Sequence, residues 1–210
     1  MKKILVSLAL CLAGMTTFAQ STIFNNPDNK GYFGIRVGGE VVCPGDIKVN
    51  KVSMDVFKVG GGIEFGGIYN APIVANFYVE PGLNLYYNAY SANNDTPLEG
   101  LTFKKFGMRV PVSFGYHFDF TDDIKISVFT GPELEIGFTA RECLDGESAS
   151  LYGDDGGMNR VDLLWGFGAG ITYDHFYFGV KGNVGMLDLD NGDESKFHEN
   201  RVTFSLGYNF

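Results

Sequence analysis

Apolar and polar residues alternate one by one through the last ten residues of the chain. Counting every second residue gives only apolar side chains: Val202, Phe204, Leu206, Tyr208 and Phe210. The intervening positions are charged, polar or small: Arg201, Thr203, Ser205, Gly207 and Asn209. A period of two residues is typical of a β-strand with one apolar face. The pattern therefore predicts a strand over residues 201–210.

The same alternation recurs in seven earlier segments, so that eight strands are predicted in all. The segments are YFGIRVGGEV, FKVGGGIEFGG, FYVEPGLNLYYN, FGMRVPVSFGYHF, IKISVFTGPELEIGFTAR, VDLLWGFGAGITY and FYFGVKGNVGM. In the second segment, Phe57 and Val59 are expected on the apolar face and Lys58 on the polar face. In the fifth, Arg141 is expected on the polar face.

The connections between the predicted strands alternate in length. Those after strands two, four and six are short, with the sequences YNAPIVAN, DFTDD and DH, whereas those after strands one, three, five and seven are long and polar. Tight turns on one side, long loops on the other and an even strand count are typical of outer-membrane barrels. The predicted fold class is therefore all-β: an eight-stranded antiparallel transmembrane β-barrel with short periplasmic turns and longer outer loops.

The polar face of the predicted strands is expected to line the lumen of this barrel. It carries charges of both signs, and a charge that faces lipid at the bilayer midplane costs roughly 2–4 kcal/mol. Eight strands leave an interior that side chains can fill. We therefore expect an interlocking network of inward charges: Arg36, Glu40, Lys58, Glu64, Glu80, Arg109, Glu133, Glu135, Lys181 and Arg201. Structural ion pairing is one interpretation of the network, and a conducting or proton-relay role is the other.

The first residues have the composition of a secretory signal. Two lysines precede an apolar run from Ile4 to about Met15, and small residues follow where a signal peptidase cleaves. Residues 1–19 are therefore interpreted as a cleaved signal peptide, residues 20–30 as a short periplasmic segment and residues 31–210 as the barrel domain. No later segment has the ~18 unbroken apolar residues of a membrane helix. The formal net charge of -9 argues against a nucleic-acid partner.

Three sequence patterns could indicate a cofactor, metal or catalytic site, but each departs from the known motif. The glycines of Gly166–Gly170 resemble part of a dinucleotide fingerprint, but the pattern around them is that of a strand. Asp188–Glu194 is similar to a calcium loop, yet its glycine comes one position early. His117, His175 and His198 fall on a lumen position, a turn and an outer loop, which suggests no catalytic triad. No cofactor, metal site or catalytic residue is therefore expected.

Two cysteines remain after the signal peptide. Cys43 lies just beyond the first predicted strand and Cys143 just beyond the fifth, so both are expected at the outer end in an oxidising compartment. A disulfide would require their Cα atoms to lie within roughly 7 Å, although these strands are on opposite sides of an eight-stranded barrel. The sequence leaves a bridge and two separate thiols open.

Several motifs, taken in order, resemble the PorT-type outer-membrane β-barrel family of Bacteroidetes-like Gram-negative bacteria. They are VEPGLNLYY, MRVPVSFGYHF, FTGPELEIGF, LLWGFGAGITY and the closing VTFSLGYNF, and the resemblance runs from about Gly31 to Phe210. Pro81, Pro111 and Pro132 fall inside these segments, where proline removes a hydrogen bond of the sheet, so local bulges are expected there.

The resemblance implies a role for the last strand in assembly. Its aromatic and apolar residues would be the signal that the barrel-assembly machinery recognises: Phe204, Leu206, Tyr208 and Phe210. The remaining expected partners are outer-membrane lipid and an unidentified protein or surface partner at the outer loops. A small closed barrel with a structural or surface-interaction role is the expected function. The alternatives are an accessory component of a secretion or outer-membrane assembly apparatus and an outer-membrane lipid-modifying enzyme.

Overall fold

The structure is a computed structural model that describes residues 31–49, 52–54, 56–94, 99–121, 123–144, 147–153, 157–190 and 195–210. The predicted signal peptide (1–19) and periplasmic segment (20–30) lie outside these residues. The described strands are β1 (Tyr32–Pro44), β2 (Ile47–Val49), β3 (Val52–Met54), β4 (Gly60–Val74), β5 (Phe77–Ser91), β6 (Thr102–Asp119), β7 (Ile124–Leu144), β8 (Glu147–Ser150), β9 (Val161–Tyr173), β10 (Phe176–Gly185), β11 (Ser195–Lys196) and β12 (Glu199–Asn209).

Eight of these strands form a closed antiparallel barrel. Each pairs with the next along the chain in the order β1, β4, β5, β6, β7, β9, β10 and β12, and β12 returns to pair with β1. The closing register runs from Gly34 opposite Asn209 to Pro44 opposite Glu199. The predicted fold class and the eight barrel strands are confirmed. Within the described ranges, no helix is long and apolar enough to cross a membrane.

The short connections lie at the end of the barrel where β1 begins and β12 ends. Ala75 and Asp174 adopt left-handed φ angles of 48° and 53°, and each starts a two-residue turn between paired strands. The prediction that YNAPIVAN is a connection is wrong, because β4 continues to Val74 and only Ala75 and Asn76 form the turn. We call this end periplasmic, since short turns face the periplasm in such barrels.

The other end carries the long connections, and part of each lies among the described residues. β7 extends beyond the barrel wall and forms a hairpin with β8, in which Arg141 lies opposite Ser150. Strands β11, β2 and β3 form a separate small antiparallel sheet that joins the first outer connection to the last. We call this end of the molecule the outer end.

The register is irregular at two places, neither of which was predicted. It shifts between Pro72 and Val74, and again between Phe106 and Gly107, where Phe138 of β7 is the extra residue. The bulges expected at Pro81, Pro111 and Pro132 are absent, since the register on both sides of each proline is the same. The ladder tolerates these prolines by leaving a few neighbouring residue pairs without bridges instead of inserting a residue.

The outward face of the barrel is apolar around its whole circumference. Large apolar side chains that are 43–60% exposed occur on each of the eight barrel strands, among them Val37, Phe65, Leu85, Phe114, Val128, Phe167, Phe178 and Leu206. Aromatic pairs ring the periplasmic rim: Phe33 with Tyr69, Phe77 with Tyr116, and Tyr208 with both Phe176 and Phe210. An apolar band that ends in a girdle of aromatic residues is the lipid-facing surface of an outer-membrane barrel.

A charge in the middle of this band should destabilise the barrel. Leu85 is 48% exposed on β5, opposite Phe65 and Met108. We expect Leu85→Arg to lower the free energy of unfolding in lipid vesicles by about 2–4 kcal/mol, because the guanidinium must enter hydrocarbon. Urea titration of the inserted protein measures the change. Phe120→Arg, at an exposed turn residue of the periplasmic rim, is the control and should cost at most about 1 kcal/mol. Equal losses in the two variants would contradict the placement of the band.

Candidate functional site

The lumen is the strongest concentration of charge in the described structure, and Arg109 of β6 lies at its centre. The side chain is completely buried. Its Nη1 contacts the carboxylates of Glu40 and Glu64, the latter at 3.2 Å, and its Nε donates to Glu135 Oε2 at 3.0 Å. The guanidinium carbon lies 3.8 Å from the centre of the Tyr86 ring. Arg109 thus joins carboxylates from three strands, as a rigid five-donor group can.

Arg201 and Lys181 extend the network on the opposite side of the lumen. Arg201 of β12 donates to Glu133 and to Glu135, with 2.6 Å between Nη1 and Glu135 Oε2. Lys181 of β10 donates to Glu133 Oε2 at 2.7 Å. Glu133 and Glu135 follow one another on the inward face of β7, and each accepts from more than one base. Charge-assisted bonds of this kind are the strong ones, provided that every partner stays in place.

The sequence reasoning missed two charged members of the network, Lys105 and Glu199. Lys105 Nζ lies 3.0 Å from Glu135 Oε1 and 3.1 Å from Glu199 Oε2, and both of these newly found side chains are nearly inaccessible. Each lies on the inward face of a strand just before the first residue predicted for it. Continuing the period of two from Arg109 back to Lys105, and from Arg201 back to Glu199, would have found both residues.

Neutral side chains complete the hydrogen bonding of the carboxylates. Tyr86 donates to Glu135 Oε1 at 2.8 Å, and Thr203 donates to Glu40 Oε1 at 3.2 Å. With its amide oriented to satisfy both neighbours, Asn88 donates to Glu40 Oε2 at 2.6 Å and accepts from Arg109 Nη2 at 3.0 Å. The network therefore fixes the lumen side chains of most strands in one arrangement.

Arg36 and Glu80 lie in the lumen but apart from this network, towards the periplasmic end. The Arg36 guanidinium stacks on the Tyr177 ring at 4.1 Å, and Asn70 donates to Glu80 Oε2 at 3.0 Å. Gly170 and Gly179 lie beneath the same tyrosine ring, which a Cβ at either position would strike. These glycines provide room for Tyr177 on the crowded inner face of the wall.

Two small cavities lie between these groups. The larger measures about 50 Å³ and is lined by Arg36, Glu64, Glu80, Asn84 and Lys181 among others, and the smaller measures about 10 Å³ beside Pro132 and Asn183. A water molecule needs roughly 10–15 Å³ of such volume. The larger cavity can therefore hold a few water molecules, and the smaller lies at the limit for one.

Two charged side chains lie outside the lumen, contrary to prediction. Lys58 precedes the first residue of β4, and its exposed ammonium group donates to Asn94 in the next outer connection. Arg141 is exposed because the extra residue Phe138 reverses the alternation of β7, which turns Ala140 inward in its place. Lys58 is therefore removed from the predicted lumen network.

An apolar cluster closes the outer end of the lumen above the charges. We call it the outer cap. Phe57 was predicted on the lipid face but packs against Tyr90, Phe103 and Phe197, with ring centres 5.5, 5.1 and 5.4 Å apart. The reason is that Phe57 lies in the connection before β4, where the alternation of that strand does not apply. The cap also includes Val42, Ala92, Leu101, Leu189, Leu151 and Met158, so all four outer connections or their flanking residues contribute to it.

The remaining predicted residues lie as follows. The terminal residues Phe204, Leu206, Tyr208 and Phe210 all project outward, and the backbone N–H of Phe210 donates to the Phe33 carbonyl at 2.8 Å. Cys43 and Cys143 are free, half-buried thiols on β1 and β7, which are four strands apart in the barrel.

The three histidines have separate surroundings. His117 stacks on Tyr78 at 4.1 Å, His175 lies 2.7 Å from Asp174 in an exposed turn, and His198 bonds the Leu187 carbonyl. Among the described residues, no group of three or more His, Cys, Asp or Glu side chains is arranged to hold a metal ion. Part of the acidic loop at 188–194 lies outside those residues.

Taken together, an apolar exterior and a charged, filled interior place this barrel in a membrane. A soluble barrel would have the reverse arrangement, with its apolar residues inside. Closed strand pairing also satisfies the backbone groups that hydrocarbon cannot. The protein is therefore a small closed β-barrel of the outer membrane.

Comparison with known proteins agrees with this architecture. No family model matches the chain, and no curated protein matches it. Among solved structures, Neisserial surface protein A aligns with a TM-score of 0.51 at 12% identity, covering 87% of this chain and all of that one. Ail of Yersinia pestis aligns with a TM-score of 0.45 at 14% identity, covering 87% of this chain and all of that one. OprG from Pseudomonas aeruginosa aligns with a TM-score of 0.46 at 14% identity, covering 86% of this chain and 96% of that one. The likeness to the Neisserial protein is one of fold: a small outer-membrane barrel of this architecture.

Proposed function

We propose that the protein is a non-catalytic barrel that presents a rigid outer surface to a partner outside the cell. The observation that carries the proposal is the outer cap. Residues from all four outer connections pack together, and β2, β3 and β11 tie the first connection to the last. Loops that are ordered before binding lose less conformational entropy when a partner docks. A barrel with only a structural role would not require such order.

The filled lumen supports the same proposal over the conducting alternative. Arg109, Arg201 and Lys105 cross the lumen to acids on other strands, and the cap lies above them. A passage for solutes would require these ion pairs and the cap to separate together. The bases Arg109, Arg201, Lys105 and Lys181 are each engaged with an acid, which supports the ion-pairing interpretation.

Crosslinking in intact cells tests the proposal. A photoreactive residue at Ala149, on the exposed outer hairpin strand β8, is expected to capture one recurring partner at the cell surface. The same residue at Asp174, in the periplasmic turn, is the matched control and should capture none of that partner. Recurring capture only from Asp174 would contradict the proposal. Secretion components captured at that position would instead favour the accessory role that the PorT-type resemblance implies.

Two finer expectations belong to the proposal. Recognition of the terminal strand by the barrel-assembly machinery is supported by the outward placement of its four apolar residues. Absence of catalysis is supported by the engagement of the lumen bases in ion pairs, and deletion of the gene should leave the lipid A mass spectrum unchanged. An altered spectrum would favour the lipid-modifying alternative.

A further inference from the structure

Asp162 is a buried acid that the lumen network does not neutralise. Its side chain is 2% exposed, at the second position of β9 and on the inward face of the wall. A Cβ at Gly185 of β10 would lie 3.5 Å from Asp162 Oδ2 and 2.7 Å from the backbone carbonyl of Glu199. Asp162 is thus close to Glu199, in the outer half of the lumen. Its Oδ1 has no hydrogen-bond partner among the described residues, and neither has Oε1 of Glu199.

The charged groups that act on Asp162 come from three other strands. They are Glu135 of β7, Lys105 of β6, and Arg201 and Glu199 of β12. Tyr152, in the connection before β9, approaches the same group of acids, whereas β10 contributes the uncharged Gly185. Both bases are already engaged: Lys105 with Glu135 and Glu199, and Arg201 with Glu133 and Glu135.

The charge count of the described lumen shows the same deficit of bases. Six acids are buried there, against four bases: Glu40, Glu64, Glu133, Glu135, Asp162 and Glu199 against Arg36, Lys105, Arg109 and Arg201. The half-buried Glu80 and Lys181 add one charge of each sign, so the excess of two acids is unchanged. An unpaired buried carboxylate is costly, and such a group commonly takes up a proton instead.

We propose that Asp162 is a proton-binding site, and that its carboxyl group holds a proton in the folded barrel at a mildly acidic pH at which an exposed aspartate is ionised. Binding of a proton from water requires only one carboxylate oxygen and no cavity beside it. A calcium ion would need six or more oxygen ligands and a zinc ion about four, and no group of three candidate side chains occurs among the described residues. Asp162 is the member of the acid pair that binds the proton, because Glu199 already accepts a bond from Lys105.

Infrared spectroscopy of the inserted barrel tests the proposal directly. Protein labelled with ¹³C at the aspartate carboxyl should show, at about pH 5.5, the label-shifted carbonyl band of one protonated carboxylic acid. Asp162→Asn should remove this band, and Asp123→Asn, at an exposed position of the periplasmic rim, should leave it unchanged. Wild-type protein without the band at about pH 5.5 would overturn the proposal. So would a band that disappears when sodium or calcium ions are added, because a metal ion would then be the ligand.

The pH dependence of stability gives a second measurement. A group that binds its proton more tightly in the folded state stabilises the fold at low pH, and this contribution is lost as the pH rises through the folded-state pKa. Wild-type protein should therefore unfold at lower urea concentration in neutral buffer than at about pH 5. Asp162→Asn carries an uncharged amide and should lose at least half of this shift. An undiminished shift in the variant would contradict the assignment to Asp162.

Discussion

Replacing Arg109 with methionine is expected to lower the free energy of unfolding by about 3–5 kcal/mol, the usual cost of removing one partner of a buried ion pair. The substitution retains an apolar stem but leaves Glu40, Glu64 and Glu135 without their shared base. Urea unfolding of the barrel in lipid vesicles measures the loss. Trp165, the single tryptophan, is 45% exposed on the lipid face and should report the transition by its fluorescence.

Two further variants separate this effect from a general loss of charge. Arg141→Met removes an exposed arginine from the outer part of β7 and should change the unfolding free energy by less than about 0.5 kcal/mol. Adding Glu40→Gln to Arg109→Met should recover part of the loss, because one uncompensated carboxylate is removed. A stability of Arg109→Met within error of the wild type would contradict the network as the structure shows it.

Replacing Phe210 with aspartate is expected to reduce the amount of inserted barrel several-fold. Phe210 is 69% exposed to lipid beside Tyr208, and the substitution places a charge on the apolar face of the closing strand. Outer-membrane fractions, compared by gel mobility before and after heating, measure the folded amount. A closed barrel migrates faster when it has not been heated.

Asn209→Asp is the matched control for this substitution. Asn209 is the neighbouring residue on the same strand, but it is 7% exposed and faces the lumen near Arg36. The aspartate has nearly the same shape and its charge would lie beside a base, so folded amounts should stay close to those of the wild type. Equal reductions in the two variants would show that the outward aromatic residue has no special role.

Much of the barrel could be predicted because the two faces of its wall have different surroundings. Lipid on one side and a filled lumen on the other impose a period of two residues, and that period located Arg109, Glu135 and Arg201 on the inner face. The ion pairs themselves could not be predicted. Which residues meet across the lumen depends on the stagger between strands. Arg109 of β6, for example, contacts Glu40 of β1, and two strands separate β6 from β1 in the barrel. Alternation within a strand does not encode that stagger.

The errors lie at strand ends and at bulges. Phe57 and Lys58 continue the alternation of β4 in sequence but precede its first residue in the fold, so each takes a different environment. Arg141 follows an extra residue at Phe138, and one inserted residue reverses every side chain beyond it. Nothing in the local sequence marks that insertion. The aromatic and apolar residues of the outer connections likewise gave no period from which the cap could be predicted.

The pairing of β1 with β12 sets the order of events during biogenesis. β1 is the first barrel strand in the sequence, and one of its edges has no partner until the strand Glu199–Asn209 pairs with it. Every shorter nascent chain therefore has two open edges and a lumen that lacks Arg201 and Glu199. The strand Glu199–Asn209 therefore supplies the last edge and the last base of the lumen together, so the barrel cannot be sealed before this strand is in place.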